Sequence, residues 1–154
     1  MDEEQAWYEQ VVIPALLRGA RRTYGAAIRR AHEAAGFSDI PRNGSYVLGS
    51  LARSSAPLSR VIAELGVSKQ AAGQLVDTLV VRGYLERQAD ADDRRRLTVA
   101  LTERGAAAAT ASADAVAQVD ANLIARLGEA KVAAAREVLG TLIDLSHPPD
   151  TGPA

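Results

Sequence analysis

Between Leu58 and Gly105 the apolar residues change their spacing twice, and few folds accommodate that order. Leu58, Val61, Ile62 and Leu65 fall at helical intervals in one short run. Gly66 follows the last of them, where a residue able to take positive φ ends a helix. Ser68 then offers a hydroxyl to the free N–H groups of a second helix, Lys69 to about Val81. That second helix turns Ala72, Leu75, Val76 and Leu79 inward and leaves Lys69, Gln70, Gly73, Gln74 and Asp77 on its other face. Two short helices joined by a glycine-containing turn make a helix-turn-helix.

Past Arg82 and Gly83 the period drops to two. Tyr84 to Arg87 is short and β-compatible. From Arg96 to Leu101, Leu97, Val99 and Leu101 share one face and Arg96, Thr98 and Ala100 the other. The polar, charged stretch from Gln88 to Arg95 between them reads as a hairpin tip. A helix-turn-helix followed by a β-hairpin is a winged helix. Its second helix suits the DNA major groove, and its basic tip suits the minor groove or the backbone.

The flanks are helical. Gln5 to about Ala35 reads as one long helix on Trp7, Val11, Leu16, Leu17, Tyr24, Ala27 and Ile28, with Pro14 starting or kinking it. Arg18, Arg21, Arg22, Arg29 and Arg30 mostly occupy its other face. A solvated face accounts for them, and the alternative is an approach to DNA or a dimer partner. Ile40 to Arg53 is a shorter helix with Pro41 in its first turn. After Gly105, an alanine-rich run to Arg126 and a final run from Glu129 to Leu145 are both helical in pattern, broken at Leu127 and Gly128. The last nine residues, with three prolines and a glycine, read as a frayed tail.

Charge is distributed in a way the net value of −1 conceals. Residues 53–105 carry net +2, residues 1–52 net 0, and residues 106–154 net −3. The weak positive bias therefore falls on the winged helix, although its size alone decides nothing. With no cysteine, disulfides, thiolate metal sites and thiol redox sensing are excluded. Paired-histidine metal spacing, a nucleophile motif and a glycine-rich phosphate loop are all absent, so neither an enzyme nor a cofactor is indicated. No apolar run approaches a membrane span, and the acidic N-terminus precedes no signal-like stretch, which together predict a cytoplasmic protein.

The ordered set Leu65-Gly66-Val67-Ser68-Lys69-Gln70, Leu75-Val76-Asp77-Thr78-Leu79, Arg82-Gly83-Tyr84-Leu85-Glu86-Arg87, Asp93-Arg94-Arg95 and Leu101-Thr102 with Gly105 resembles the multiple-antibiotic-resistance regulator (MarR) family of bacterial transcription factors. The resemblance extends to the flanking helices. It implies a mainly α fold with a small β-hairpin wing, a winged helix-turn-helix flanked by N- and C-terminal dimerisation helices. The corresponding division is 1–35 N-terminal dimerisation helix, 36–105 DNA-binding domain, 106–145 C-terminal dimerisation helices and 146–154 tail. The apolar faces of the terminal helices independently call for a partner, since neither helix is stable alone without burying that face. The simplest partner is a second copy, giving a homodimer that reads a palindromic operator with its recognition helices about 34 Å apart; the alternative is a monomeric helical bundle.

In this reading Ser68 caps the recognition helix, with a phosphate bond as the alternative. Lys69 meets the backbone or a guanine, and Gln70 and Gln74 present amides to adenine edges. Gly73 stands where the family often has a hydroxylated residue, and it admits closer approach to the groove. On the wing, Asp93 and Arg95 match the family's aspartate-x-arginine pair, the carboxylate holding the guanidinium towards a narrow minor groove. Arg94 and Arg96 face phosphates or the wing's own carboxylates. Many family members hold an aromatic or phenolic effector between the winged helix and the dimer helices. Tyr24, His32, Arg42, Tyr46 and Trp7 are the residues such a pocket would draw on here. Ile62, four before the turn glycine, and Ala72, six after it, reverse the usual small-large packing of a helix-turn-helix, which suggests a volume-conserving exchange. The competing reading is a winged-helix protein-interaction module without specific DNA binding, against which the wing arginines, Lys69 and the glutamines argue.

Overall fold

The computed structural model describes residues 6–53, 62–63, 65–89 and 97–145. A 3-10 turn at Trp7–Gln10 precedes α1 (Ile13–Ala34) and α2 (Gly44–Arg53). The recognition helix of the sequence reading is α3 (Lys69–Val81), with the bounds expected. The hairpin is β1 (Leu85–Ala89) and β2 (Leu97–Leu101), and two further helices follow, α4 (Glu103–Leu127) and α5 (Glu129–Asp144). The sequence helix at Leu58–Leu65 falls mostly outside the described residues. Its described part, Ile62 and Ala63, is helical and leads into the turn at Gly66, whose φ is +63°.

Two helix starts differ from the sequence expectation. The first helix begins at Ile13 rather than near Gln5, because Val11 and Val12 are extended and Pro14 occupies the opening turn, where its missing N–H has no cost. Trp7 is consequently 72% exposed in the 3-10 turn instead of lying on a helix face. The second helix begins at Gly44 rather than Ile40. A turn bonded from Gly44 N–H to the Pro41 carbonyl (2.8 Å), with Asn43 at φ +66°, holds the chain out of helix until that point.

The strands pair antiparallel in the register Leu85 to Leu101, Arg87 to Val99 and Ala89 to Leu97. Alternation then puts Val99 and Leu101 against the core, as the period-two pattern requires. That core joins Val47 and Leu48 of α2, Val76 and Leu79 of α3, Tyr84 and Leu85, and Ala108 and Ala109 of α4. Ala72, Val76 and Leu79 are buried and Leu75 is half-buried, so α3 turns inward the face expected of it.

The chain divides into two compact units, Met1–Val116 and Ala117–Ala154. Within the second, Arg136 donates to Asp120 Oδ2 (2.7 Å) and Val132 is buried, while Val138, Leu139, Leu142, Ile143 and Leu145 are exposed. Among the described residues, no helix is long and apolar enough to cross a membrane.

Candidate nucleic-acid interface

The N-terminal end of α3 is built by its cap. Ser68 is extended (φ −62°, ψ 154°), and its Oγ accepts from Ala71 N–H at 3.2 Å. The hydroxyl therefore satisfies one of the four N–H groups that every helix start leaves open. Lys69, Gln70, Gly73, Gln74 and Asp77 are all exposed. Gln70 and Gln74, one turn apart, share a face with Gly73, and a Cβ built on Gly73 meets nothing within 4 Å. No packing contact accounts for glycine there, so the helix carries its propensity cost on a bare, outward surface.

Asp77 would place a carboxylate on that surface. Arg87 of β1 donates to its Oδ1, so the charge is paired locally. The opposite end of α3 is closed by Gly83, at φ +72°: Gly83 N–H bonds the Val80 carbonyl and Tyr84 N–H bonds the Leu79 carbonyl, each at 2.9 Å. This is the paired closure that glycine past a helix end permits, and it turns the chain directly into β1.

Beyond Gly83 lies a junction that sequence reasoning passed over. Thr102 Oγ1 donates to the Gly83 carbonyl (2.6 Å) and accepts from Gly105 N–H (3.0 Å), capping α4 while tying it to the end of α3. Gly105 sits so close to Tyr84 that an added Cβ would lie 2.0 Å from the Tyr84 carbonyl oxygen. The buried Tyr84 ring sends its hydroxyl to Asp39 Oδ1. Arg104 Nη2 donates to the same Asp39 oxygen and to the Tyr84 hydroxyl oxygen, both at 3.0 Å. Its guanidinium lies over the rings of Tyr84 (4.6 Å) and Phe37 (5.5 Å). Arg82 Nη1 completes the group by donating to the Asp39 backbone carbonyl. The Tyr84 hydrogen bond, with help from Arg104, holds the Asp39 carboxyl below its ordinary range against the opposing effect of burial. Burial first, then the Asp39 bond, pushes the Tyr84 phenol up. Both groups thus keep the protonation states the bonds require. Arg82, Tyr84, Thr102, Arg104 and Gly105 stand inside the motif already singled out, but nothing local in the sequence points to Asp39.

The wing residues Asp93, Arg94, Arg95 and Arg96 lie outside the described residues. Of the proposed effector residues, His32 is buried between α1 and α4. Its Nε2 is 2.7 Å from Ser112 Oγ and 3.1 Å from the Ala108 carbonyl oxygen. A carbonyl only accepts, so Nε2 carries the proton and donates, and the Ser112 hydroxyl donates in turn to Ala108 (3.0 Å). Burial lowers the His32 pKa from its ordinary 6.5, the Ala108 bond opposing. These contacts account for His32 as a core histidine joining two helices. Tyr24 is half-buried on α1, Arg42 is exposed before α2, and Tyr46 is exposed on α2.

The sequence model of the MarR family matches residues 38–96. That span takes in the helix-turn-helix of the sequence reading and β1, and ends just before β2. Among solved structures, the chain is similar to MepR of S. aureus in a complex with DNA (18% identity, 86% of this chain and 97% of that one, TM-score 0.67). It is likewise similar to the reduced form of MarR from E. coli (24% identity, 86% and 96%, TM-score 0.65) and to S. aureus MepR bound to ethidium bromide (18% identity, 88% and 97%, TM-score 0.56). A comparison with curated proteins finds no match. The MarR-type fold therefore extends over most of the chain, beyond the matched span.

Proposed function

We propose that this chain is a sequence-specific, double-stranded-DNA-binding transcriptional regulator, a ligand-responsive repressor acting in the cytoplasm as a homodimer on a palindromic operator. The observation that carries the reading is the outward face of α3. Its start is capped by Ser68, its polar residues Lys69, Gln70 and Gln74 are exposed, and it is bare at Gly73. A helix start directs N–H groups and the positive dipole end outward, which suits phosphate while the amides reach base edges. The likeness to a MepR–DNA complex supports the same docking. In this reading Asp93 and Arg95 enter the minor groove, and Arg94 and Arg96 add backbone contacts.

The homodimer rests on where apolar surface is left over. Exposed large apolar side chains cluster in Trp7–Ile13 and Leu127–Leu145, the two ends of the chain. Residues 1–35 and 106–145 are accordingly assigned to dimerisation, and 36–105 to DNA binding. An aromatic or phenolic effector, drawing on Tyr24, Arg42 and Tyr46, is supported by analogy with the ethidium-bound MepR.

The test is binding of the purified chain to DNA upstream of its own gene across a salt series, with unrelated DNA as competitor. Tight binding that weakens steeply with salt yet survives competitor is expected, with a two-fold footprint whose half-sites lie about 34 Å apart. Charge reversal at Arg95 should reduce that affinity. No DNA binding even at low salt favours the protein-interaction reading instead.

A further inference from the structure

The Asp39 junction does not belong to the DNA-facing surface, and its energetics argue against a purely stabilising role. The Asp39 and Arg104 side chains are 46% and 43% exposed. Ion pairs that open to water contribute little to stability. What the junction does supply is direction. Three segments meet at Asp39: the link between α1 and α2, which carries it, the exit of α3, through Tyr84 on its carboxylate and Arg82 on its backbone carbonyl, and the first turn of α4, through Arg104 on the carboxylate. Stacking of the guanidinium on two rings fixes its plane, and the Thr102 bond and the Gly105 contact hold the same two elements together from the backbone side.

We propose that Asp39, Tyr84 and Arg104 form a latch that sets the angle of α3 against the first turn of α4, and thereby the separation of DNA half-sites that the dimer accepts. The proposal rests on the DNA-binding dimer reading above. Its lever arm follows from helix geometry. The 13 residues of α3 span about 20 Å, and its reading end lies opposite the latched end. A swing of about 10° at the latch displaces the reading end by about 3.4 Å, one base-pair step. Modest loosening therefore suffices to blur spacing by a full base pair. Asp39, Tyr84 and Arg104 are positioning residues in this scheme, since none of them lies on the outward face of α3.

The experiment compares the full-length chain with Asp39→Asn, Arg104→Gln and Tyr84→Phe. Affinity is measured on synthetic palindromes whose half-site spacing is the footprinted one, one base pair shorter or one longer. The wild type is expected to prefer its own spacing by about ten-fold, the worth of about one mismatched base pair. Each variant should lose most of that preference while holding its affinity for the cognate spacing within about three-fold, about 0.6 kcal/mol. Variants that retain the full wild-type preference overturn the latch. A second readout needs no DNA: hydrogen exchange of the backbone amides from Leu79 to Glu86 should quicken in every variant while those of mid-α1 stay unchanged. Unchanged exchange from Leu79 to Glu86 overturns the proposal too. A wild type that binds none of the palindromes sinks the regulator reading, and the exchange data then judge the latch separately.

Discussion

The same substitution, glycine to alanine, should have opposite effects at two helical positions of this protein. Gly73 lies inside α3 and Gly105 in the first turn of α4. At both, alanine gains about 1 kcal/mol of helix propensity at most. A Cβ on Gly73 enters open space, so Gly73→Ala should keep that gain. At Gly105 the Cβ would sit 2.0 Å from the Tyr84 carbonyl oxygen, with Tyr84 C and Leu101 Cδ2 at 3.0 and 3.2 Å. Ordinary contact needs more than about 3 Å, so α4 must move off Tyr84 by about 1 Å. Overpacking of this kind costs about 1–3 kcal/mol. The shift also strains the bonds of Thr102 to Gly83 and to Gly105, each contributing about 1 kcal/mol. Gly105→Ala should then lose about 2–4 kcal/mol net. At about 2–4 °C per kcal/mol, thermal unfolding at one fixed protein concentration should rise by a few degrees for Gly73→Ala and fall by roughly 5–15 °C for Gly105→Ala. A Gly105→Ala protein as stable as wild type would refute the close approach of α4 to Tyr84. If Gly73 is bare for the sake of the DNA groove, the stabilised Gly73→Ala protein should bind its operator less tightly.

Removing the Ser68 hydroxyl should cost about 1 kcal/mol in Ser68→Ala and only a few tenths in Ser68→Gly, because glycine leaves the helix start open to water; equal losses by denaturant unfolding would reject the cap. His32 should give the protein an acid limb. Its folded pKa lies below the 6.5 of the free side chain, so the unfolded chain binds the proton first. Stability is therefore complete above pH 6.5 and falls with pH until the folded pKa is passed. His32→Gln, which still has an N–H for Ala108, should flatten that slope in unfolding measured from about pH 7 to about pH 5, and an unaltered slope would assign it elsewhere. Ile62 packs against the core and Ala72 is buried. If they are a volume exchange, Ile62→Ala with Ala72→Val should be more stable than the single changes sum to, whereas additive free energies would separate the two sites.

Local order was legible in the residues themselves. The bounds of α3, the alternating faces of β2 and the Ser68 cap follow from intervals of two to four residues, which backbone geometry converts directly into faces and ends. By contrast, β1 runs on through Gln88 and Ala89, which the charged pattern places in the tip. The misplaced helix starts were local as well. Extended Val11 and Val12, and the turn through Asn43, stopped helices that apolar spacing alone would have prolonged. His32 was legible as a residue of interest, but only its partners distinguish a core histidine from a ligand contact.

Sequence by itself determined that this chain carries a helix-turn-helix followed by a wing, with flanking helices rich in apolar surface. Tertiary structure alone decided which residues meet at the C-terminal end of α3. Asp39 is 45 residues from Tyr84 and 65 from Arg104, and no periodicity reaches across such distances. Gly105 likewise looks like any glycine in a helix's first turn until the Tyr84 carbonyl is found where its side chain would have been. Intervals along a chain fix which face of an element is apolar; which charged and small residues meet is fixed only when those faces are buried against each other.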